Sequence, residues 1–234
     1  ETDYCINAPM FTRVRHIAFN TEAERQLCRS VFGRFLAPNS IVGCGIEMAP
    51  EAEWSGVKAK YELPDEYVLY LGRVSKAKVD KLLPYFLRCK AKYGGDAKLV
   101  LVGGFENEIR KFDSPDILFT GYVSDEEKTA IVRHATVMVN PSPMESLSLL
   151  MLEGMQSRIP LLVNGRSKVM KDHCRLSGAG LWYNNGRDFR KKLHRLLSDP
   201  ELRRTMSEKG PAYVREHYDW EIIIPKLRTL IESI

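Results

Sequence analysis

From Glu66 onward the chain alternates short unbroken apolar runs with longer amphipathic stretches. Tyr67–Leu71 (YVLYL), Lys98–Val102 (KLVLV), Ile117–Phe119, Thr136–Asn140, Ile159–Val163 and Gly180–Tyr183 (GLWY) are predicted as strands. Their side chains are apolar without alternation, as expected of a parallel sheet covered on both faces. Helical spacing predicts Val79–Tyr93 with Leu82, Leu83, Phe86 and Leu87 inward, and a helix to His134 opened by the capping box Ser124/Glu127. A helix after Pro143 carries Leu149, Leu150, Leu152 and Met155. Asp188–Leu197 follows, then a helix opened by Asp199-Pro200, a cap with proline in the first turn. The last runs from about Asp219 to Ser233, where Pro225 predicts a kink or a late start. Alternating strands and helices make the fold class α/β, a Rossmann-like parallel sheet flanked by helices. Such sheets bind ligands at the carboxyl ends of their strands. The loops there, Gly72-Arg73, Gly103-Gly104, Gly121-Tyr122 and Pro141–Ser148, are expected to converge on one crevice.

The first 65 residues are less regular. Val14–Phe19 reads as a strand, and Thr21 with Glu24 as a capping box for a helix whose apolar face is Leu27, Val31 and Phe32, stopped at Gly33. This looks like the tail of a larger unit. Asn39–Gly45 leads into a second short strand and a loop. Gly43-Cys44-Gly45 resembles the start of a dinucleotide fingerprint. Met48 stands where the third glycine is needed and no helix is predicted to follow, so the segment reads as a bend or hinge. Val163–Cys174 (VNGRSKVMKDHC) is expected to be a loop near the crevice.

Composition narrows the classes. The chain has 234 residues, enough for one large domain or one and a half small ones, and 44% of them are hydrophobic, which allows a real core. No apolar run approaches the roughly 20 residues of a membrane span. Five scattered cysteines, none in a C-x-x-C, suit a reduced, cytoplasmic protein. The net charge of +5 suits an anionic small ligand or peripheral contact with an acidic membrane surface, and is too small to argue for nucleic acid. The five histidines show no chelating spacing, and no metal site is predicted.

The candidate chemistry centres on Pro141–Met155 (PSPMESLSLLMLEGM). Glu145 is placed at the lip of a strand-to-helix turn and Glu153 two turns into the helix, roughly 12 Å apart at helical rise. Between them the amides near Ser148 and Leu149 form a seat for a phosphate. Arg73 and Lys78 follow the first regular strand. A guanidinium fork and an ammonium there could neutralise a diphosphate and stabilise it as a leaving group.

Several motifs in order carry a resemblance: GRVSKAK at 72–78, LVLVGG at 99–104, FTGYVSDEE at 119–127 and the E-x7-E pattern of Pro141–Met155. The chain resembles the carboxyl-terminal, donor-binding half of retaining GT-B glycosyltransferases of the family-4 type. The resemblance implies a nucleotide-diphosphate-sugar donor and no metal or other cofactor. It implies Arg73 and Lys78 on the diphosphate, and Glu145 on hydroxyls of the sugar near the reacting carbon. Ser148 and Leu149 would give amides to the phosphate, and Glu153 would accept from the ribose. Gly121, Tyr122 and Val123 would face the base, with the Gly103 loop beside them. The leaving diphosphate itself would serve as the base. Val79 stands where the family has glycine, and Glu145–Ser148 reads ESLS where many members read EGFG.

On this reading residues 1–45 are a remnant of the amino-terminal acceptor domain and hinge. Residues 46–216 are the nucleotide-sugar-binding domain, and 217–234 a crossover helix. A saccharide or lipid-linked acceptor would be held by the absent half, and the chain alone is expected to transfer little. A sugar-nucleotide epimerase of the same fold and a non-catalytic nucleotide-binding module are the competing readings.

Overall fold

The computed structural model describes residues 9–33, 37–106 and 114–233. Cys5 and Phe35 lie outside the described residues. Six strands form a parallel sheet: β3 (Tyr67–Leu71), β4 (Lys98–Val102), β5 (Ile117–Gly121), β6 (Val137–Asn140), β7 (Leu161–Asn164) and β8 (Gly180–Tyr183), in the order β5-β4-β3-β6-β7-β8. The order reverses between β3 and β6, which makes their junction the switch point of the sheet. A two-stranded parallel unit, β1 (Ile17–Phe19) with β2 (Asn39–Ile41), precedes it.

Alternate side chains of the buried strands feed two cores. Tyr67, Leu69, Val100, Val102, Met138, Leu161 and Val163 meet one layer of helices. That layer is α2 (Trp54–Lys60), α5 (Asp125–Arg133), α6 (Leu149–Gln156), α7 (Lys168–Ser177) and the carboxyl half of α9 (Pro200–Tyr218). Val68, Tyr70, Leu99, Leu101, Val137, Val139 and Leu162 face α3 (Lys76–Val79), α4 (Leu82–Tyr93) and α8 (Gly186–Ser198). A one-residue slip would exchange the two sets, so burial on both faces together with unequal side-chain sizes fixes the register.

Several boundaries differ from the sequence expectation for identifiable reasons. The helix expected over Val79–Tyr93 is two pieces, α3 and α4. A continuous helix would need an amide at Pro84 and would clash its ring with the Asp80 carbonyl, so the chain restarts at Leu82 with Pro84 in the first turn. Leu87 is only partly buried. The segment expected as a loop, 163–174, is the end of β7, a short turn and α7, whose first turn is capped by Ser167 through the Met170 amide. The late start at Pro225 does not occur: α10 (Trp220–Glu232) begins directly after its cap Asp219.

In the amino-terminal unit β1 begins at Ile17, leaving Val14 exposed. Helix α1 (Glu22–Phe32) is capped by Thr21, whose hydroxyl accepts the Glu24 amide. Glu24 returns to the Asn20 amide, one residue earlier than a capping box requires. The expected apolar face of α1 is not buried. Leu27 is 60% and Val31 48% exposed, and Ala23 makes the buried contact. Gly45 in the following loop meets α10 closely: a Cβ there would stand 2.3 Å from the Trp220 indole. Among the described residues no helix is long and apolar enough to cross a membrane.

Candidate functional site

The carboxyl ends of β3 and β6 flank the switch point. After β3 the chain turns at Gly72 and runs through Arg73 into α3. Gly103, after β4, sits against this turn: with φ +129°, a Cβ there would lie 2.3 Å from the Gly72 carbonyl oxygen, so only glycine fits. The Gly103 amide donates to the Gly121 carbonyl (2.9 Å), joining the second and third loops. Arg73 is exposed and its guanidinium has no partner among the described residues. Its carbonyl accepts the Tyr70 hydroxyl (2.8 Å). Burial, and then the charge of Glu145, push the Tyr70 phenol up to about 12. Lys78 reaches across the switch point to the Ser142 hydroxyl (3.5 Å).

The 141–148 loop is held from several sides. Asn140 accepts the Ser142 amide (3.0 Å) and donates to the Ser148 hydroxyl (3.0 Å). Leu147 is buried in the core. Thr21 donates its hydroxyl to the Ser146 carbonyl (3.2 Å), tying the amino-terminal unit to the loop that carries Glu145. Ser148 takes a left-handed conformation (φ +66°, ψ 73°). The left-handed residue breaks helical continuity, so α6 starts only at Leu149 and residues 145–148 are not helical. The expected 12 Å axial separation therefore does not apply, and Glu153 stands little more than one turn into α6. The buried positions of α6 are Met151, Leu152, Gly154 and Met155. Leu149, one of the residues of the apolar helical pattern, is 46% exposed and lines a cavity in front of α6.

Because the Ser148 hydroxyl is turned away, α6 has no side-chain cap. The amides of Ser148, Leu149 and Leu150 have no acceptor among the described residues. They are the donors that helices ordinarily satisfy with a cap, aimed out together with the positive end of the helix dipole. A cavity of about 360 Å³ opens in front of them, lined by Glu145, Ser146, Leu147, Ser148, Leu149 and Leu150 together with Asn140, Asn20 and Cys44.

Glu153 is not among the residues that line that cavity. Its side chain is 12% exposed, with Oε1 3.2 Å from the Lys128 ammonium and Oε2 buried without a partner. A second cavity, about 280 Å³, is lined by Lys78, Lys81, Arg166, Pro141, Pro143 and the Asn184-Asn185 pair among others. The four loops are thus neighbours without sharing one cavity, and Gly103 and Gly121 line neither. The contacts of Gly103 with Gly72 and Gly121 draw the turns after β3, β4 and β5 together. Tyr122 is 87% exposed, close above Gly104, while Val123 packs on the core.

Sequence reasoning missed Asn20, Thr21, Cys44, Tyr70, Asn140 and Lys128. Thr21 and Lys128 act across long stretches of chain, on Ser146 and Glu153. Tyr70 and Asn140 act within eight residues, and Asn140, the polar end of an apolar strand, left a local sign. His173 and Cys174, adjacent in sequence, are buried within α7. The His173 Nδ1 pairs with the Tyr213 hydroxyl (2.9 Å), and Cys174 is free. Among the described residues no cluster of three metal-ligating side chains exists.

Residues 56–213, more than half of the chain, match the family model for glycosyl transferases group 1. The chain belongs to that family. The match spans all six strands of the large sheet and helices α3 to α8 of this group 1 domain. Alpha-D-kanosaminyltransferase of Streptomyces kanamyceticus is 30% identical over 174 residues, 68% of this chain and 44% of that protein. Glycosyltransferase 1 domain-containing protein 1 of Xenopus tropicalis is 26% identical over 132 residues, 55% of this chain and 36% of that protein. The chain therefore spans less than half the length of these relatives. Two solved structures share the fold. Sucrose-phosphate synthase from Thermosynechococcus elongatus superposes with TM-score 0.81 at 20% identity, over 99% of this chain and 61% of that one. Anabaena HepE, in complex with UDP and glucose, gives TM-score 0.81 at 12% identity over 100% and 67%. A glycosyltransferase group 1 domain on a parallel α/β fold accounts for these likenesses.

Proposed function

We propose that this group 1 domain is the donor-binding half of a retaining GT-B glycosyltransferase of the family-4 type, taking a nucleotide-diphosphate sugar at the junction of β3 and β6. The observation that carries the proposal is the uncapped start of α6, lying between Glu145 on one side and the orphaned Glu153 oxygen on the other. The amides of Ser148 and Leu149 receive the diphosphate, with Arg73 and Lys78 neutralising it from the opposite loop. Lys78 already spans that gap to Ser142. As the donor bond breaks, negative charge grows on the diphosphate, and donors that need no reorganisation favour that state over the bound substrate. Glu145 holds hydroxyls of the transferred sugar, Glu153 accepts from the ribose, and the Gly121–Val123 turn with Gly103 faces the base. The departing diphosphate takes the acceptor proton, so no metal is required.

Relatives more than twice the length of the matched segment support a further domain that holds a saccharide or lipid-linked acceptor. In that arrangement residues 1–45 belong with the acceptor side, 46–216 with the donor and 217–234 cross between them. The family match favours a transferase over an epimerase or a non-catalytic binding module. Calorimetric titration with UDP, GDP and ADP, with and without magnesium, tests the reading. One diphosphate is expected to bind selectively and independently of metal. Glu153→Ala should weaken it on the order of tenfold or more, the range for hydrogen bonds to a charged group. Equal affinity in the variant would overturn the assignment of Glu153.

A further inference from the structure

Glu153 is buried with half of its hydrogen-bonding capacity unused. Oε1 is held by Lys128 at 3.2 Å, while Oε2 is shielded from solvent and unpartnered. A carboxylate oxygen in that state is costly unless a donor arrives. Lys128 is itself constrained. Its ammonium also meets Asp125 at 3.4 Å, and it directly follows Glu127, the residue that closes the first turn of α5. Glu127 accepts the Ser124 amide (3.0 Å), the Tyr61 hydroxyl (2.9 Å) and the Lys60 ammonium (2.6 Å), which anchors α5 to α2. Lys128 therefore projects from a first turn of α5 that is anchored to α2, and it reaches a single oxygen of Glu153 on α6.

That geometry serves two ends. The ammonium offsets the Glu153 charge, so an anionic nucleotide meets a near-neutral pair instead of a bare buried carboxylate. It also fixes the carboxylate plane, so that Oε2 keeps one direction in which to accept.

Resting on the donor-site reading above, we propose that Lys128 is a positioning residue for nucleotide recognition. It holds Oε1 of Glu153 so that Oε2 accepts from the ribose diol. The consequence is selectivity for ribose over deoxyribose that depends on a side chain which does not touch the nucleotide.

The test is calorimetry on wild type, Glu153→Gln, Lys128→Met and Lys128→Arg. Each is titrated with UDP, GDP and ADP, and with the dideoxyribose counterpart of the one that binds best. The ratio of the two affinities is internal to each variant, so partial unfolding cancels from it. Wild type should prefer ribose on the order of tenfold to a hundredfold, as expected for hydrogen bonds to a charged acceptor. Glu153→Gln and Lys128→Met should both lose most of that preference, and Lys128→Arg should keep it. If Glu153→Gln loses the preference while Lys128→Met keeps it, the positioning role of Lys128 is wrong and the donor site stands. If wild type binds no nucleotide, or shows no preference that Glu153→Gln removes, the donor-site reading fails and the role of Lys128 with it.

Discussion

Helices α5 and α6 both start at the carboxyl edge of the same sheet, and their first turns are built in opposite ways. In α5 the Ser124 hydroxyl accepts the Glu127 amide (3.2 Å) and the Glu127 carboxylate accepts the Ser124 amide (3.0 Å), so the first turn satisfies itself. In α6 the hydroxyl at the corresponding place, that of Ser148, accepts from Asn140 instead, and the amides face a cavity. The open arrangement requires Ser148 to hold a left-handed backbone, which disfavours a non-glycine residue by roughly 1 kcal/mol. Helices α7 and α8, which begin at the same edge, carry side-chain caps at Ser167 and Asn185. Helix α3, at the same edge, also has no side-chain cap at Ser75, but Glu106 accepts its Lys76 amide (3.1 Å). In α6 the first amides are left without such an acceptor and the preceding residue is left-handed, an arrangement held against both strain and the usual capping chemistry.

The strongest way to break the contrast is to remove the cations opposite the open turn. Arg73→Ala combined with Lys78→Ala should lower nucleoside diphosphate affinity on the order of a hundredfold to a thousandfold, about 3–4 kcal/mol for two charge-assisted contacts. Both side chains are exposed, so the unfolding midpoint should move little. Calorimetry beside thermal denaturation measures both.

Acid should unsettle the two sides at different pH. In α7, packed in the core shared with Leu147 and Met151, burial pushes the His173 imidazole from about 6.5 down to about 4. Tyr213, Tyr218 and His217 of α9 and its neighbour Asp172 surround it. Between those two pH values the unfolded chain binds the extra proton. Stability should therefore fall as pH drops from 6.5 to 4, by about 3 kcal/mol, and level off below. Glu127 behaves differently. Lys60, followed by the Ser124 amide, holds it down to about 2, so its contribution to α5 is complete above pH 4.5 and lost only as pH falls toward 2. Urea unfolding at pH 7, 5.5 and 4 should show the His173 step in wild type and none in His173→Gln, whatever the baseline of the variant.

The smallest effect belongs to the closed turn. Ser124→Ala should cost about 1 kcal/mol of stability, the usual loss of a cap, with nucleotide affinity unchanged within error. A matching loss of affinity would mean that α5 is part of the phosphate site.

The closed turn was readable in the sequence and the open one was not. Ser124 and Glu127 announce a capping box by identity and spacing. Asp199-Pro200 announces the start of α9 in the same way, and the apolar runs of β3, β4 and β8 set their own ends. The start of α6 depends on a left-handed serine, which has no compositional mark, so the sequence pattern starts the helix too early and sets Glu153 too deep in it. Pro84 is the local mark of the split between α3 and α4, and the apolar spacing runs across it unbroken. Leu27 and Val31 fit a buried helical face, yet periodicity describes a face without saying what covers it. Lys128 and Thr21 were silent because their partners, Glu153 and Ser146, lie 25 and 125 residues away.

The most direct measurement is an amide NMR titration of the isotopically labelled chain with the nucleoside diphosphate that binds best. The amides of Ser148, Leu149 and Leu150 should shift most, those of Gly72 and Arg73 next, and those of Asp125–Glu127 hardly at all. Shifts centred on the capped turn of α5, or on the cavity between Lys209 and Lys226, would contradict the assignment of the open α6 terminus as the phosphate seat.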